Sequence, residues 1–161
     1  MAAQAKPRRR RLALVASRGS LDGAYPPLIL AATAASLGWE VGIFFTFYGL
    51  DILHKKRHKR LKVAPIGNPA MPVAIPNLVG ALPGMTAAAT TMMRRWMKRA
   101  NLPTIPQFLD MARESGARLF ACSTTMGVMG IREQDLVVGA DIAGAAAFLD
   151  FAAEADVSLF V

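Results

Sequence analysis

Cysteine is almost absent from this 161-residue chain, and the one present, Cys122, excludes an intrachain disulfide and any zinc site built from several thiolates. Histidine is nearly as scarce. His54 and His58 both lie in the run HKKRHKR, whose cations repel a metal ion and which holds no carboxylate, so a solvated basic face is the expectation there and no metal is expected. Aromatic residues make up only 7%, and no named nucleic-acid motif accompanies the positive charge, so nucleic acid is not an expected partner. The patterns G-x-G-x-x-G and GxxxxGK[ST] are missing as well. Dinucleotide and nucleoside-triphosphate chemistry therefore lack support, and no cofactor is expected.

Long apolar runs are present only in broken form. Val63 to Met93 carries no charge over 31 residues, yet Pro65, Pro69, Pro72, Pro76 and Pro83 interrupt it, and a lipid-exposed backbone cannot leave its hydrogen bonds unmade. The expectation is an apolar loop over residues 63–84, covered by another subunit or a bilayer surface or else disordered, followed by a helix from Met85 to Ala100 capped by Thr86. Behind the basic start, the run from Leu12 to Ala16 is too short for the core of a signal peptide. A cytoplasmic protein, with membrane association at most peripheral, is expected.

What is abundant is hydrophobicity, at 53%, and positive charge, at +8 from nineteen Lys and Arg against eleven Asp and Glu. The size and composition suit one domain with a real core. Residues 1–11 read as a basic N-terminal arm and residues 12–161 as the domain. The charge is divided: residues 1–103 hold sixteen cations against three anions, residues 104–161 three against eight. Opposite ends therefore present opposite fields to a partner.

Four short apolar runs read as buried strands: Leu12 to Ser17, Glu40 to Phe47, Ala117 to Ser123 and Val157 to Val161, with Leu136 to Ala140 as a further one. Helices are expected over Asp22 to Leu37, stopped by Gly38, over Pro103 to Gly116, and over Gly144 to Ala155. Alternating strands and helices predict a three-layer α/β/α domain around a parallel sheet of about five strands. In such sheets the chemistry gathers at the carboxyl ends of the strands. Arg18 and Gly19 follow the first strand, Thr46 and Tyr48 the second, and Cys122 ends a later one, ahead of Ser123, Thr124 and Thr125.

Those three hydroxyl residues are good N-caps, which would place Cys122 at a helix N-terminus, where free amides favour a thiolate. A packed core cysteine fits the same position. A thiol protease or amidase lacks its general base, whereas sulfur exchange between thiolates needs none. A non-catalytic assembly or membrane-surface protein is the alternative.

The stretches FFTFYGLDILHKK, LPGMTAAATTMM, IPQFLDMARESGARLFACSTTMGVMGI and ADVSLFV together resemble the DsrE/DsrF-like sulfurtransferase family, in its larger, more hydrophobic branch sometimes labelled peroxiredoxin-like. The peroxiredoxin label has no motif behind it, because Cys122 follows no proline-bearing loop with the expected Thr and Arg. The resemblance implies a parallel α/β domain, a homo-oligomer, and a cysteine, here Cys122, that carries sulfane sulfur as a persulfide between donor and acceptor proteins. Gly127 stands where many relatives carry an acidic residue, so no acid/base role is assigned to it. Ser123, Thr124, Thr125 and Arg18 are then expected to steady the sulfur anion, with Gly19, Thr46 and Tyr48 in the pocket.

Overall fold

The computed structural model describes residues 8–64 and 82–161. Five strands form one parallel sheet in the order β4-β3-β2-β1-β5. They are β1 (Arg11–Ala16), β2 (Glu40–Phe45), β3 (Arg118–Cys122), β4 (Ala140–Ala143) and β5 (Val157–Phe160). Between them run α1 (Leu21–Ser36), α2 (Met85–Arg99), α3 (Ile105–Glu114), α4 (Ser123–Met129) and α5 (Ala145–Ala153).

Strand periodicity divides the side chains between two faces. Leu12, Leu14, Val41, Ile43, Phe45 and Leu119 point to one face and build the main core with Leu28 of α1 and Phe108 and Leu109 of α3. Ala13, Phe44, Phe120 and Cys122 point to the other, where they meet Phe148 and Phe151 of α5, with Ala152 and Ala155 packed at the margin. The rings of Phe44 and Phe148 stack at 4.9 Å, and Phe120 meets Phe148 edge-on at 5.7 Å. One nine-residue helix is a thin cover for five strands. Phe160 and Leu149, 74% and 62% exposed, remain on the surface beside it.

Helix α1 begins where expected because the Ser20 side chain accepts the Gly23 amide, and it stops at Gly38, whose φ of 77° only glycine adopts easily. Helix α3 starts at Ile105, under a reciprocal cap between Thr104 and Gln107. Helix α2 buries only Thr90 fully, and Met93 and Met97 pack against the core. Its N-cap is Gly84; Thr86 lies inside the helix, where its carbonyl accepts the Thr90 hydroxyl, so Thr86 is not the cap that the sequence suggested.

Two strand expectations need correction. The run Leu136 to Ala140 is a connector: Leu136 bridges to His54, Val138 is exposed, and Gly139 turns the chain at φ 82°. The strand is Ala140–Ala143, an edge strand that tolerates Asp141 because one side meets solvent. The second strand stops at Phe45, since Thr46 starts a 3₁₀ turn over Phe47–Ile52. Of the apolar loop expected over 63–84, residues 65–81 lie outside the described residues, as do residues 1–7 of the basic arm. Within the rest of that arm, Arg11 opens β1 and Arg8 contacts Glu154 and Asp156. Among the described residues no helix is long and apolar enough to cross a membrane.

Candidate functional site

Parallel pairing sets Phe45 beside Ala121, so one further step along both strands brings Thr46 to Cys122. Both side chains follow the alternation onto the α5 face. Cys122 is itself the N-cap of α4, which starts at Ser123, so Ser123 to Thr125 form the first turn of the helix and cap nothing. The consequence is a sulfur set directly against the first amides of a turn.

Cys122 is 6% exposed, more enclosed than a strand-end position suggests. Burial pushes its pKa up. Against this stand the amides of Thr125 and Thr124 and the hydroxyl pair of Thr125 and Thr46, which favour the anion, and the balance holds the thiol below its ordinary value. Thr125 is the centre of the arrangement. Its Oγ1 accepts the Phe47 amide at 3.1 Å and lies 3.1 Å from the Thr46 hydroxyl; one proton of that hydroxyl pair joins the two oxygens and the other is left for the sulfur. Phe47 adopts φ 46°, uncommon for a residue with a large side chain, at the point where its amide donates to Thr125. Buried polar atoms and a buried thiol are thus satisfied by one another, in a form that favours the anion.

The other residues expected at this site are divided. Thr46 and the amides of Thr124 and Thr125 surround the sulfur; Ser123 is exposed. Arg18, Gly19 and Tyr48 line a separate open cleft of about 870 Å³ at the end of β1. The two places adjoin through the 3₁₀ turn, whose beginning touches Thr125 and whose Tyr48 and Asp51 reach the cleft. Close approach fixes that turn: a Cβ on Gly19 would strike the Tyr48 carbonyl, and one on Gly49 the Ala16 carbonyl. The basic residues Lys56, Arg60 and Lys62 share the cleft, although their sequence reads only as a solvated charge run. Nothing in the primary pattern marks the Phe47 amide, because a positive φ on phenylalanine leaves no signature.

His58 contradicts the expectation of a solvated basic face. It is 7% exposed, and both ring nitrogens lack a hydrogen-bond partner among the described residues. Burial holds its pKa below the usual value, helped by Lys59 and His54 and opposed by Asp110. The unfolded chain therefore takes up a proton near the ordinary 6.5 before the folded one does, so stability should fall as pH drops below that value. His58→Leu is expected to reduce this acid sensitivity and to match or exceed wild-type stability at pH 7.5. Urea midpoints measured from pH 7.5 to 5 check it; an unchanged pH slope in the variant would rule the assignment out. The physical reason is that an unpartnered buried polar group costs about 1–3 kcal/mol.

The profile of the DsrE/DsrF/DrsH-like family matches residues 8–160. The chain belongs to this family. It is 43% identical over 158 residues to the "Sulfur carrier protein DsrE2" of Allochromatium vinosum, with 94% of this chain and 98% of that one covered. It is also 34% identical over 162 residues to the "Uncharacterized protein YrkE" of Bacillus subtilis, covering 94% and 97% of the two chains. Among solved structures, the ychN protein from E. coli shares the fold at a TM-score of 0.59 and 13% identity, over 94% of this chain and 99% of that one. The family assignment and the five-stranded parallel sheet thus agree with the sequence reading.

Proposed function

We propose that this protein is a sulfur carrier that holds sulfane sulfur as a persulfide on Cys122 and passes it to a thiol of a partner protein. The observation that carries the reading is the set of hydrogen-bond donors gathered on the lone thiol. Family membership and the similarity to a protein named as a sulfur carrier support it.

In the loading step, the Cys122 thiolate attacks the outer sulfur of a donor persulfide. A new S–S bond forms, the donor's S–S bond breaks, and the donor sulfur leaves as a thiolate with the bonding electrons, while the proton stays on the transferred sulfur. Unloading is the same exchange with an acceptor thiolate as nucleophile. Neither direction needs a general base or a redox partner. The amides of Thr124 and Thr125 and the one free proton of the Thr46–Thr125 hydroxyl pair favour the thiolate, and local opening of the turn admits the donor to a sulfur that is otherwise covered. Arg18, Gly19 and Tyr48 act from the adjoining cleft, and Ser123 keeps the rim of the turn polar.

Incubation with inorganic polysulfide followed by intact-mass spectrometry should show protein carrying additional sulfur atoms, removable with a thiol reductant and transferable to an acceptor thiol. Wild-type protein that gains no sulfur would overturn the proposal. The poorly covered α5 face supports a homo-oligomer, with Phe160 and Leu149 buried by a second copy. Light scattering should report more than one chain per particle, and Phe160→Asp should reduce it; a wild-type monomer would exclude that assembly.

A further inference from the structure

The cleft at the end of β1 holds more positive charge than the fold has use for. Five cations line it, together with Asp22 and Asp51. Arg57 is paired with Asp51 at 2.7 Å, and the Asp22 carboxylate accepts the Ala64 amide at 2.9 Å. Arg18, Lys56, Arg60 and Lys62 remain, exposed and without an ion-pair partner among the described residues. Like charges drawn onto one concave surface repel, and an arriving anion removes that cost.

The basic wall is also held in place. The Leu21 amide donates to the Lys62 carbonyl at 2.7 Å, the Val63 amide to the Thr90 hydroxyl at 3.1 Å, and Arg94 to the carbonyls of Lys59 and Leu61. Its cations are therefore carried on an ordered frame that α1 and α2 secure.

Topology gives the same location independently. Strands β2, β3 and β4 build outward from one side of β1, and β5 lies on the other. The helices α1 and α5 consequently leave on opposite faces, and a crevice opens at the carboxyl end of β1, the usual ligand position in open α/β sheets. Residues 17–20 stand there. A volume of about 870 Å³ lies within the range of small-molecule sites, and Tyr48, Leu61 and Val63 add apolar wall to the charged one.

We infer that this cleft binds a low-molecular-mass sulfur donor bearing two or more anionic oxygens, held by Arg18, Lys56, Arg60 and Lys62 and joined to the Thr125 site through the 3₁₀ turn. The anionic site follows from the cleft itself; the donor role of its ligand rests on the carrier reading. Thiosulfate is the simplest member of the class. Attack of the Cys122 thiolate on its outer sulfur forms the persulfide anion and breaks the S–S bond, and sulfite leaves with the electron pair. Charge balances at minus three on each side. The cations offset the repulsion between a thiolate and a dianion, which would otherwise slow their encounter.

Calorimetric titration of the full-length protein at constant ionic strength tests the inference, with sodium thiosulfate and the unreactive sodium sulfate as probes. Both should bind wild type and Cys122→Ser alike, which separates binding from chemistry. The double variant Arg18→Gln, Arg60→Gln should weaken both by about tenfold or more, as expected when charge-assisted hydrogen bonds are lost. A control on the other basic surface, Arg95→Gln with Arg99→Gln, should stay within about twofold, because screening makes distant surface charges nearly interchangeable. Should circular dichroism show the double variant unfolded, Lys62→Gln replaces it. Absence of saturable binding by wild type, or equal loss in the control, overturns the cleft. If the anions bind but thiosulfate loads wild type and the double variant equally, the donor role is overturned. Sulfur loading from polysulfide without anion binding would remove the cleft and leave the carrier; anion binding without any sulfur on Cys122 would do the reverse.

Discussion

Cys122→Ser protein is expected to take up no sulfur from polysulfide under conditions that load the wild type, a complete loss rather than a graded one. The chain has no second thiol to take over, and a serine hydroxyl does not ionise near neutral pH or exchange with sulfane sulfur. The fold should survive, because serine is nearly the same size and the donors of Thr46 and Thr125 retain an oxygen to address. Intact-mass spectrometry gives the readout, with an unfolding free energy from urea titration within about 1 kcal/mol of wild type as the control for folding, the usual scale of a small substitution. Sulfur found undiminished on the variant would remove Cys122 from the mechanism.

Removing one hydroxyl from the cup should have the second-largest effect. Thr125→Val keeps the shape of the side chain and deletes the group that faces the sulfur, the Phe47 amide and the Thr46 hydroxyl together. A hydrogen bond to a charged group is worth about 1.5–3 kcal/mol. At 1.36 kcal/mol per unit, the thiol pKa should rise by about 1–2 units. The remaining thiolate becomes intrinsically more nucleophilic as its basicity rises, so alkylation at pH 7 should slow by only about 3- to 10-fold. The informative measurement is the midpoint of the pH–rate profile with iodoacetamide, which the variant should shift to higher pH. A profile that keeps its midpoint while the rate falls would mean that Thr125 controls access and not ionisation. Stability should drop as well, by about 1–3 kcal/mol, because the Phe47 amide loses its acceptor inside the structure.

Much of the architecture can be read in the chain because buried parallel strands are nearly uniform in composition. LALVA, VGIFF and RLFAC stand out as short apolar runs, and each lies in the interior of the sheet, covered on both faces. The edge strand ADIA does not stand out, since one of its sides faces water and its composition shows it. The neighbouring LVVGA is more apolar and yet is a connector. There the glycine at 139 and the bridge from Leu136 to His54 decide the path, and neither belongs to a strand pattern. His58 misleads in the same way: a run of cations predicts solvent, but a second 3₁₀ turn, His58–Arg60, folds the imidazole inward.

The sequence by itself determined the alternation of strands and helices, the parallel sheet that follows from it, the family, and the identity of the only thiol, because each depends on residue types repeated at short range. Only the tertiary structure decided what surrounds that thiol. Thr46 and Thr125 are 79 residues apart and meet because parallel register aligns the ends of β2 and β3; Arg18 and Lys62 share a cleft because α1 and α2 anchor the turn between them. Such convergence depends on distance through space, which local composition does not encode.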